Sequence, residues 1–227
     1  MIVVNRGIVK YFVKLIKKAE ENIIMKINDG RVETEPSVTD RFFQEVERVF
    51  EENGEKNGIC FRVRTLRDRG PNAPEKKFGA DICGVLNVKL SEFEISKGFL
   101  AQAKNERQRE ICVSDTDNKV IIYNNTKLNE LKDQTEKMLN ITPDSFVIVY
   151  STKKFIVVPA STIKGLKYND MYVYNSAKLY GKPVDQFFKE FITCFIGDLK
   201  LKAYDDKTFN KINGKYSYPI SYYVPDN

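Results

Sequence analysis

The chain has 227 residues, a formal net charge of +6 and a pI of about 8.9. This length supports one large domain with a sizeable hydrophobic core, and the mildly basic balance permits a nucleic-acid partner without requiring one. The chain contains no histidine. Histidine-dependent hydrolysis and histidine-ligated metal sites are therefore excluded, and any catalysis must use carboxylates, lysines, hydroxyls or a metal held by oxygen ligands.

Two amphipathic helices are predicted first. Residues 7–28 place apolar side chains at helical spacing, and we interpret the lysines between them as a solvated face. A second helix is predicted from Ser37 to residue 53, because Ser37 and Asp40 match a capping box and one apolar stripe follows them.

Strands follow the helices. Apolar or alternating segments predict strands at 59–66, 79–90 and 97–104, a hairpin at 109–123, a helix at 127–140, and further strands at 144–151 and 154–160. The segment at 144–151 is apolar almost throughout, which indicates a central strand. The order of elements predicts an α/β fold.

The last third of the chain has a different composition. Residues 161–227 are rich in aromatic side chains and include a predicted helix at 184–198. We expect one domain over residues 1–227, with its core at about 36–160 and residues 161–227 packed on that core as an extension.

Location is predicted from what the chain lacks. No apolar run approaches the ~18 residues of a membrane span, and the first residues do not resemble a signal peptide. Cys60, Cys83, Cys112 and Cys194 form no CxxC pair, so neither a disulfide framework nor a structural zinc site is expected. These features predict a cytoplasmic protein without a membrane partner.

Polar residues interrupt two of the apolar strands. Gln102 and Lys104 share one face of their strand, and Asp81 falls on the preceding predicted strand, where an unpaired carboxylate is costly to bury. On the second helix, Glu45 lies nearest the apolar stripe among the acidic residues. We therefore predict that Asp81, Gln102, Lys104 and Glu45 converge.

This combination suits the cleavage of phosphodiesters. Mg²⁺ prefers oxygen ligands, often one or two carboxylates with waters and a substrate phosphate. A bound Mg²⁺ activates water and stabilises charge on the phosphate, and a lysine nearby adds to that stabilisation. The simplest alternative places Asp81 in a turn, with Gln102 and Lys104 on a solvated edge strand.

The triplets "GAD" and "QAK" resemble the PD-(D/E)xK nuclease superfamily, which has the restriction-endonuclease-like fold, and the glutamine resembles its Mrr-like QxK branch. The similarity spans about residues 36–160, including "EKKFGAD" and "KGFLAQAK", and extends to nucleases of bacterial anti-phage and restriction systems. It implies an αβββαβ core with a mixed sheet flanked by helices, together with an extra N-terminal helix and an aromatic-rich C-terminal extension.

The resemblance also implies roles for individual residues. Asp81, Gln102, Glu45 and the main-chain carbonyl of Ala103 would bind Mg²⁺, with Mn²⁺ as a substitute, and Lys104 would be the catalytic lysine. An amide brings no charge to a metal, so Glu75 is the alternative to Glu45 as the second carboxylate.

Basic residues lie close to this group in the sequence. They suit contacts with a phosphate backbone, although a solvated loop is equally consistent with them. The set comprises Arg62, Arg64, Arg67, Arg69, Lys76 and Lys77.

We therefore predict a DNA endonuclease of a defence or restriction system. A nuclease-fold DNA-binding or assembly subunit with a decayed site, and a nuclease of RNA or of structured DNA in repair, remain open. A homodimer remains open too. The chain has no P-loop motif, so any ATPase or sensor would be a separate subunit.

Overall fold

The computed structural model describes residues 4–54, 57–66, 74–105, 125–166 and 181–202. The hairpin predicted at 109–123 and the predicted phosphate ligands Arg67 and Arg69 lie outside these ranges.

Helices and strands are interspersed along the described chain. In order they are α1 (Arg6–Asn28), α2 (Glu35–Asn53), β1 (Ile59–Thr65), α3 (Pro74–Phe78), β2 (Ile82–Leu90), β3 (Phe93–Asn105), α4 (Asn125–Leu139), β4 (Ser145–Tyr150), β5 (Ile156–Pro159), α5 (Ala160–Lys164), β6 (Lys182–Pro183) and α6 (Val184–Ile192).

The six strands form one sheet in the order β1-β2-β3-β4-β5-β6. The β3–β4 pair is parallel and the other neighbouring pairs are antiparallel. A parallel pair requires a long crossover connection, and α4 lies within this one. The predicted α/β fold with a mixed sheet flanked by helices is confirmed.

The two faces of the sheet carry different helices. Alternate β3 residues such as Phe99 and Ala101 lie on the first face, in one apolar cluster with residues of α1, α2 and α6. The centroid of the Phe99 ring lies 5.1 Å from the centroids of Phe187 and of Phe191 in α6. Part of the predicted C-terminal extension therefore contributes to the main core.

The second face carries the shorter helices. Cys83, Val85 and Leu100 pack there against Phe78 of α3 and Met138 of α4. Side chains alternate along a strand, so Gln102 and Lys104 share this face with Leu100.

Several predicted boundaries were wrong. The N-cap of α2 is Thr34, whose side chain accepts a hydrogen bond from the N–H of Ser37, and Pro36 lies in the first turn. Ser37 and Asp40 are consequently inside the helix and form no capping box, and Glu35 becomes the first helical residue. At the other end of the chain, α6 stops at Ile192 instead of continuing to residue 198.

Within the described ranges, no helix is both long enough and apolar enough to cross a membrane.

A buried carboxylate fastens α1 to the turn between β4 and β5. Glu20 is 6% exposed, and its Oε1 accepts a hydrogen bond of 2.6 Å from the N–H of Phe155. Burial raises the pKa of Glu20, and the hydrogen bond from Phe155 partly opposes that rise. The amide of Asn28 also donates to the Thr152 carbonyl, at 3.2 Å.

We expect Glu20→Ala to lower the free energy of unfolding by about 1–3 kcal/mol, because it leaves the buried N–H of Phe155 without an acceptor. Urea denaturation measures this loss. The matched control is Glu21→Ala at the exposed next position, which we expect to stay within about 0.5 kcal/mol of the wild type. Equal effects of the two substitutions would contradict the role of Glu20.

Candidate functional site

The predicted polar residues meet at the end of the sheet where β2 begins and β3 ends. Asp81 directly precedes β2, and its backbone is fixed on both sides. Its N–H donates to the Ala101 carbonyl at 2.9 Å, and its own carbonyl accepts from the N–H of Leu66 at 2.6 Å. The Asp81 side chain therefore starts from a rigid backbone.

The "GAD" triplet makes a tight approach to α4. Gly79 has a φ of +71°, and a Cβ at this position would lie 2.2 Å from the carbonyl oxygen of Gln134. Ala80 is fully buried. The glycine and the alanine thus serve packing, and they turn the chain so that Asp81 enters the sheet at its end.

The Asp81 carboxylate binds β3. Its Oδ2 accepts a hydrogen bond of 2.7 Å from the N–H of Ala103 and another from Nε2 of Gln102. The structure therefore brings Asp81 and Gln102 together, as predicted, and Ala103 joins them through its N–H group.

Gln102 carries a buried oxygen with no hydrogen-bond partner among the described residues. The residue is 1% exposed, which is inconsistent with the alternative of a solvated edge strand. Its Nε2 donates to Oδ2 of Asp81. Its Oε1 is left buried without a hydrogen-bond partner in the described structure. Buried polar atoms of this kind call for a ligand, an ion or a water.

The Ala103 carbonyl faces the same space. A residue in a strand points its N–H and its C=O to the same side, and the N–H of Ala103 points toward Asp81. Among the described residues, the carbonyl accepts only a long hydrogen bond of 3.4 Å, from Nε2 of Gln102. It is therefore available as an oxygen ligand.

Lys104 lies at the rim of this group. Its Nζ is 3.7 Å from Oε1 of Glu35, and its side chain is 23% exposed. Oε2 of Glu35 accepts a hydrogen bond of 2.9 Å from the N–H of Asn105. Glu35 thus holds the end of β3 and places a negative charge beside Lys104.

Glu45 does not join the group, contrary to the prediction from helical phase. Its carboxylate lies 2.6 Å from Arg48 and 3.9 Å from Lys26. Glu35 and Glu45 are ten positions apart on α2, which is about 15 Å along the helix axis. Helical phase gives the direction of a side chain around the axis, but the site lies at one end of the helix.

Glu35 is an acid of α2 that lies beside Lys104, and the sequence prediction missed it. The run "TEP" at residues 34–36 contains the indication, since Thr is a favoured N-cap and Pro is favoured in the first turn. A helix that starts there has Glu35 at its first position, at the end of the sheet.

Glu75 of α3 also acts on Asp81. Its charge raises the pKa of the Asp81 carboxyl group, so it lies within electrostatic reach. Glu35 has the same effect to a smaller degree. The candidates for the predicted second carboxylate near Asp81 are therefore Glu75 and Glu35, and not Glu45.

Burial has the largest effect on Asp81 and raises its pKa to about 7. The Ala103 hydrogen bond lowers the pKa, Glu75 and Glu35 raise it, and Lys104 lowers it. A carboxyl group with this pKa binds and releases a proton near neutrality.

These oxygen atoms fit a hard divalent cation. The described residues contain no group of three or more Asp, Glu, His or Cys side chains arranged to hold a metal. The donors present are one carboxylate, one amide oxygen and one main-chain carbonyl, from Asp81, Gln102 and Ala103. Mg²⁺ binds to one or two carboxylates and keeps several waters, so this sparse set suits it better than a soft metal.

The predicted phosphate ligands have different surroundings. Arg62 forms an ion pair with Glu51 of α2, and Arg64 lies half-buried beside Cys83, where burial lowers its pKa. Lys76 and Lys77 are exposed on α3, close in sequence to Asp81. Of the predicted basic residues that the structure describes, these two are the best placed for a phosphate.

Comparison with known proteins adds no family assignment. No protein-family model matches the chain, and no curated protein matches it either.

We expect Asp81→Asn to raise the melting temperature at pH 8 by several degrees and to change it little at pH 4. Folded Asp81 keeps its proton up to about pH 7, whereas an unfolded aspartate loses it near ~3.9. The contribution of Asp81 to stability therefore falls as the pH rises between these values. Asparagine avoids this loss and keeps an acceptor oxygen for Ala103.

Thermal unfolding at the two pH values tests this expectation. Asp133→Asn is the matched control, since Asp133 is exposed on α4 and paired with Lys137. If Asp81→Asn changes the melting temperature equally at both pH values, the high pKa of Asp81 is refuted.

Proposed function

We propose that the chain is a Mg²⁺-dependent DNA endonuclease that acts in the cytoplasm as part of a bacterial defence or restriction system. The convergence of Asp81, Gln102, Ala103 and Lys104 at one end of the sheet carries the proposal. Asp81 is desolvated there, the Gln102 oxygen has no partner among the described residues, and a lysine stands at the rim.

The order of elements supports the same proposal. The run α2, β1, β2, β3, α4, β4 contains the αβββαβ order of the PD-(D/E)xK nucleases that the sequence resembles, with α3 inserted before β2. The "GAD" triplet directly precedes β2, and the "QAK" triplet lies near the end of the neighbouring strand β3. These features coincide in one place.

Different residues of the chain have different roles in the proposed phosphodiester hydrolysis. Asp81, Gln102 Oε1 and the Ala103 carbonyl would hold Mg²⁺, which when bound lowers the pKa of water and stabilises charge on a phosphate. Glu35 orients the Lys104 ammonium group. Lys104 donates hydrogen bonds to the phosphate oxygens, where negative charge increases during the reaction.

The proton on Asp81 couples this site to pH. A cation and a proton would compete for the Asp81 carboxylate, so this carboxylate would have to lose its proton to hold Mg²⁺. With a pKa of about 7, the Asp81 carboxylate would be more available to a cation as the pH rises through neutrality. Near neutral pH, activity should increase with pH for this reason.

A DNA-binding subunit without hydrolysis is the second candidate function. It is favoured by the pairing of Gln102 with Asp81, which occupies one oxygen of the carboxylate with a neutral amide. A homodimer and a separate ATPase or sensor subunit would be compatible with either function.

We expect Asp81→Asn and Lys104→Ala each to reduce plasmid cleavage at least ~100-fold, since the first removes the carboxylate that would hold Mg²⁺ and the second removes the ammonium group that acts on the phosphate. Cleavage is measured with Mg²⁺ and with EDTA, and circular dichroism verifies folding. Lys89→Ala, at an exposed lysine near the far end of β2, is the control. A folded variant at either site residue that cuts at the wild-type rate would show that the assigned site is wrong.

Glu35→Gln should lower the cleavage rate about 10-fold or more, because the neutral side chain still accepts from Asn105 but no longer orients Lys104. Glu45→Gln on the same helix should stay within about twofold of the wild type. Rates over a Mg²⁺ series, together with the rise in melting temperature that Mg²⁺ causes, compare the two variants. Equal effects would remove Glu35 from the site.

A further inference from the structure

The turn between β4 and β5 is a second basic element at the same end of the sheet. Tyr150 at the end of β4 is level with Asn105 at the end of β3. The turn at residues 151–154 therefore extends past the level of Lys104 by about three residues, or roughly 10 Å. It lies about two strand spacings, roughly 10 Å, from the end of β2.

The backbone of this turn is held in place. The Ser151 hydroxyl accepts from the N–H of Lys153 at 3.2 Å and from that of Lys154 at 3.1 Å, and it donates to the Lys154 carbonyl at 2.7 Å. The next residue, Phe155, is fully buried and is bound by Glu20. The turn thus presents its two lysines from a fixed backbone.

Both lysine side chains are open. Lys153 and Lys154 are exposed, and neither has a carboxylate partner among the described residues. Arg62, by contrast, is engaged by Glu51. Two adjacent ammonium groups on a rigid turn without compensating acids make a locally positive surface that suits an anionic partner.

A second pair of lysines lies across the candidate site. Lys76 and Lys77 are exposed on α3, which packs on the second face near the start of β2. The β4–β5 turn is bound to α1, on the first face. α3 and the turn therefore lie toward opposite faces of the sheet, at the end where the Asp81 group lies.

We propose that Lys153 and Lys154 bind the phosphate backbone of double-stranded DNA and, with Lys76 and Lys77, hold a duplex across the Asp81 site. The inference rests on the proposed function and names its substrate. Two separated basic pairs suit the two strands of a duplex. Single-strand sites rely on exposed aromatic side chains that stack on bases, and the described residues at this end of the sheet expose none.

Binding over a series of salt concentrations tests the proposal. Fluorescence anisotropy with a labelled DNA duplex is measured on an Asp81→Asn background, which prevents cutting. We expect Lys153→Ala combined with Lys154→Ala to weaken binding and to reduce the slope of log affinity against log salt by about 0.9 for each phosphate that the variant no longer neutralises.

The matched control is Lys10→Ala combined with Lys14→Ala. Both lysines are exposed on α1, and replacing them removes the same charge. Lys10 and Lys14 lie 18 and 14 positions before Asn28, which is roughly 20–27 Å along the helix from the turn. We expect the control to keep the wild-type slope. A turn variant that matches the wild type or the control in slope overturns the proposal.

Two further measurements separate the failures. Tighter binding of the single strand, or of an RNA duplex of the same sequence, overturns the assignment to double-stranded DNA. Plasmid cleavage by the unmodified chain is recorded in parallel. If the unmodified chain cleaves the plasmid but the turn variant keeps the wild-type salt slope, only the inference is refuted. If the turn variant has a reduced slope but the unmodified chain does not cleave, the inference is supported and the proposed hydrolysis is refuted.

Discussion

The candidate site depends on the unequal lengths of two neighbouring strands. Pairing with β2 ends where Ile82 meets Ala101, whereas β3 continues beside β4 as far as Asn105. On the β2 side, the last four residues of β3, 102–105, have no neighbouring strand in the described structure. The N–H groups of Ala103 and Asn105 point to that open side and need acceptors.

Two carboxylates replace the missing strand. Asp81 accepts from Ala103, and Glu35 accepts from Asn105. These N–H groups are two residues apart on one strand, so they lie about 7 Å apart. The carboxylates that accept from them are held at a similar spacing. The Ala103 carbonyl, which accepts only the long hydrogen bond from Gln102 among the described residues, lies between them. The hydrogen bonds that satisfy the N–H groups at the edge of the sheet therefore also bring oxygen ligands together.

Local patterns in the sequence were sufficient for part of this arrangement. Alternation along β3 placed Gln102 and Lys104 on one face, and the apolar strands on either side indicated that this face was buried. Glu35 could not be found in the same way, because its position depends on where α2 starts and on how far β3 extends past β2. Lys153 and Lys154 of the β4–β5 turn were missed for a related reason. Their proposed role depends on β4 ending at the same level as β3, which the sequence does not show.

Carboxylates that accept from backbone N–H groups recur elsewhere in the chain, so the motif alone does not mark a functional site. Glu20 binds the N–H of Phe155 and Glu47 binds that of Val63, and burial raises the pKa of both acids. Asp81 differs in the oxygen atoms beside it: Oε1 of Gln102 is buried without a described partner, and the Ala103 carbonyl accepts only a 3.4 Å hydrogen bond among the described residues. Nearby like charges do not distinguish Asp81, because Glu20 also has two acids and a lysine within electrostatic reach. A bound cation would engage the Gln102 and Ala103 oxygens together with the Asp81 carboxylate, and this is the physical reason to propose chemistry at Asp81 and a structural role for Glu20 and Glu47.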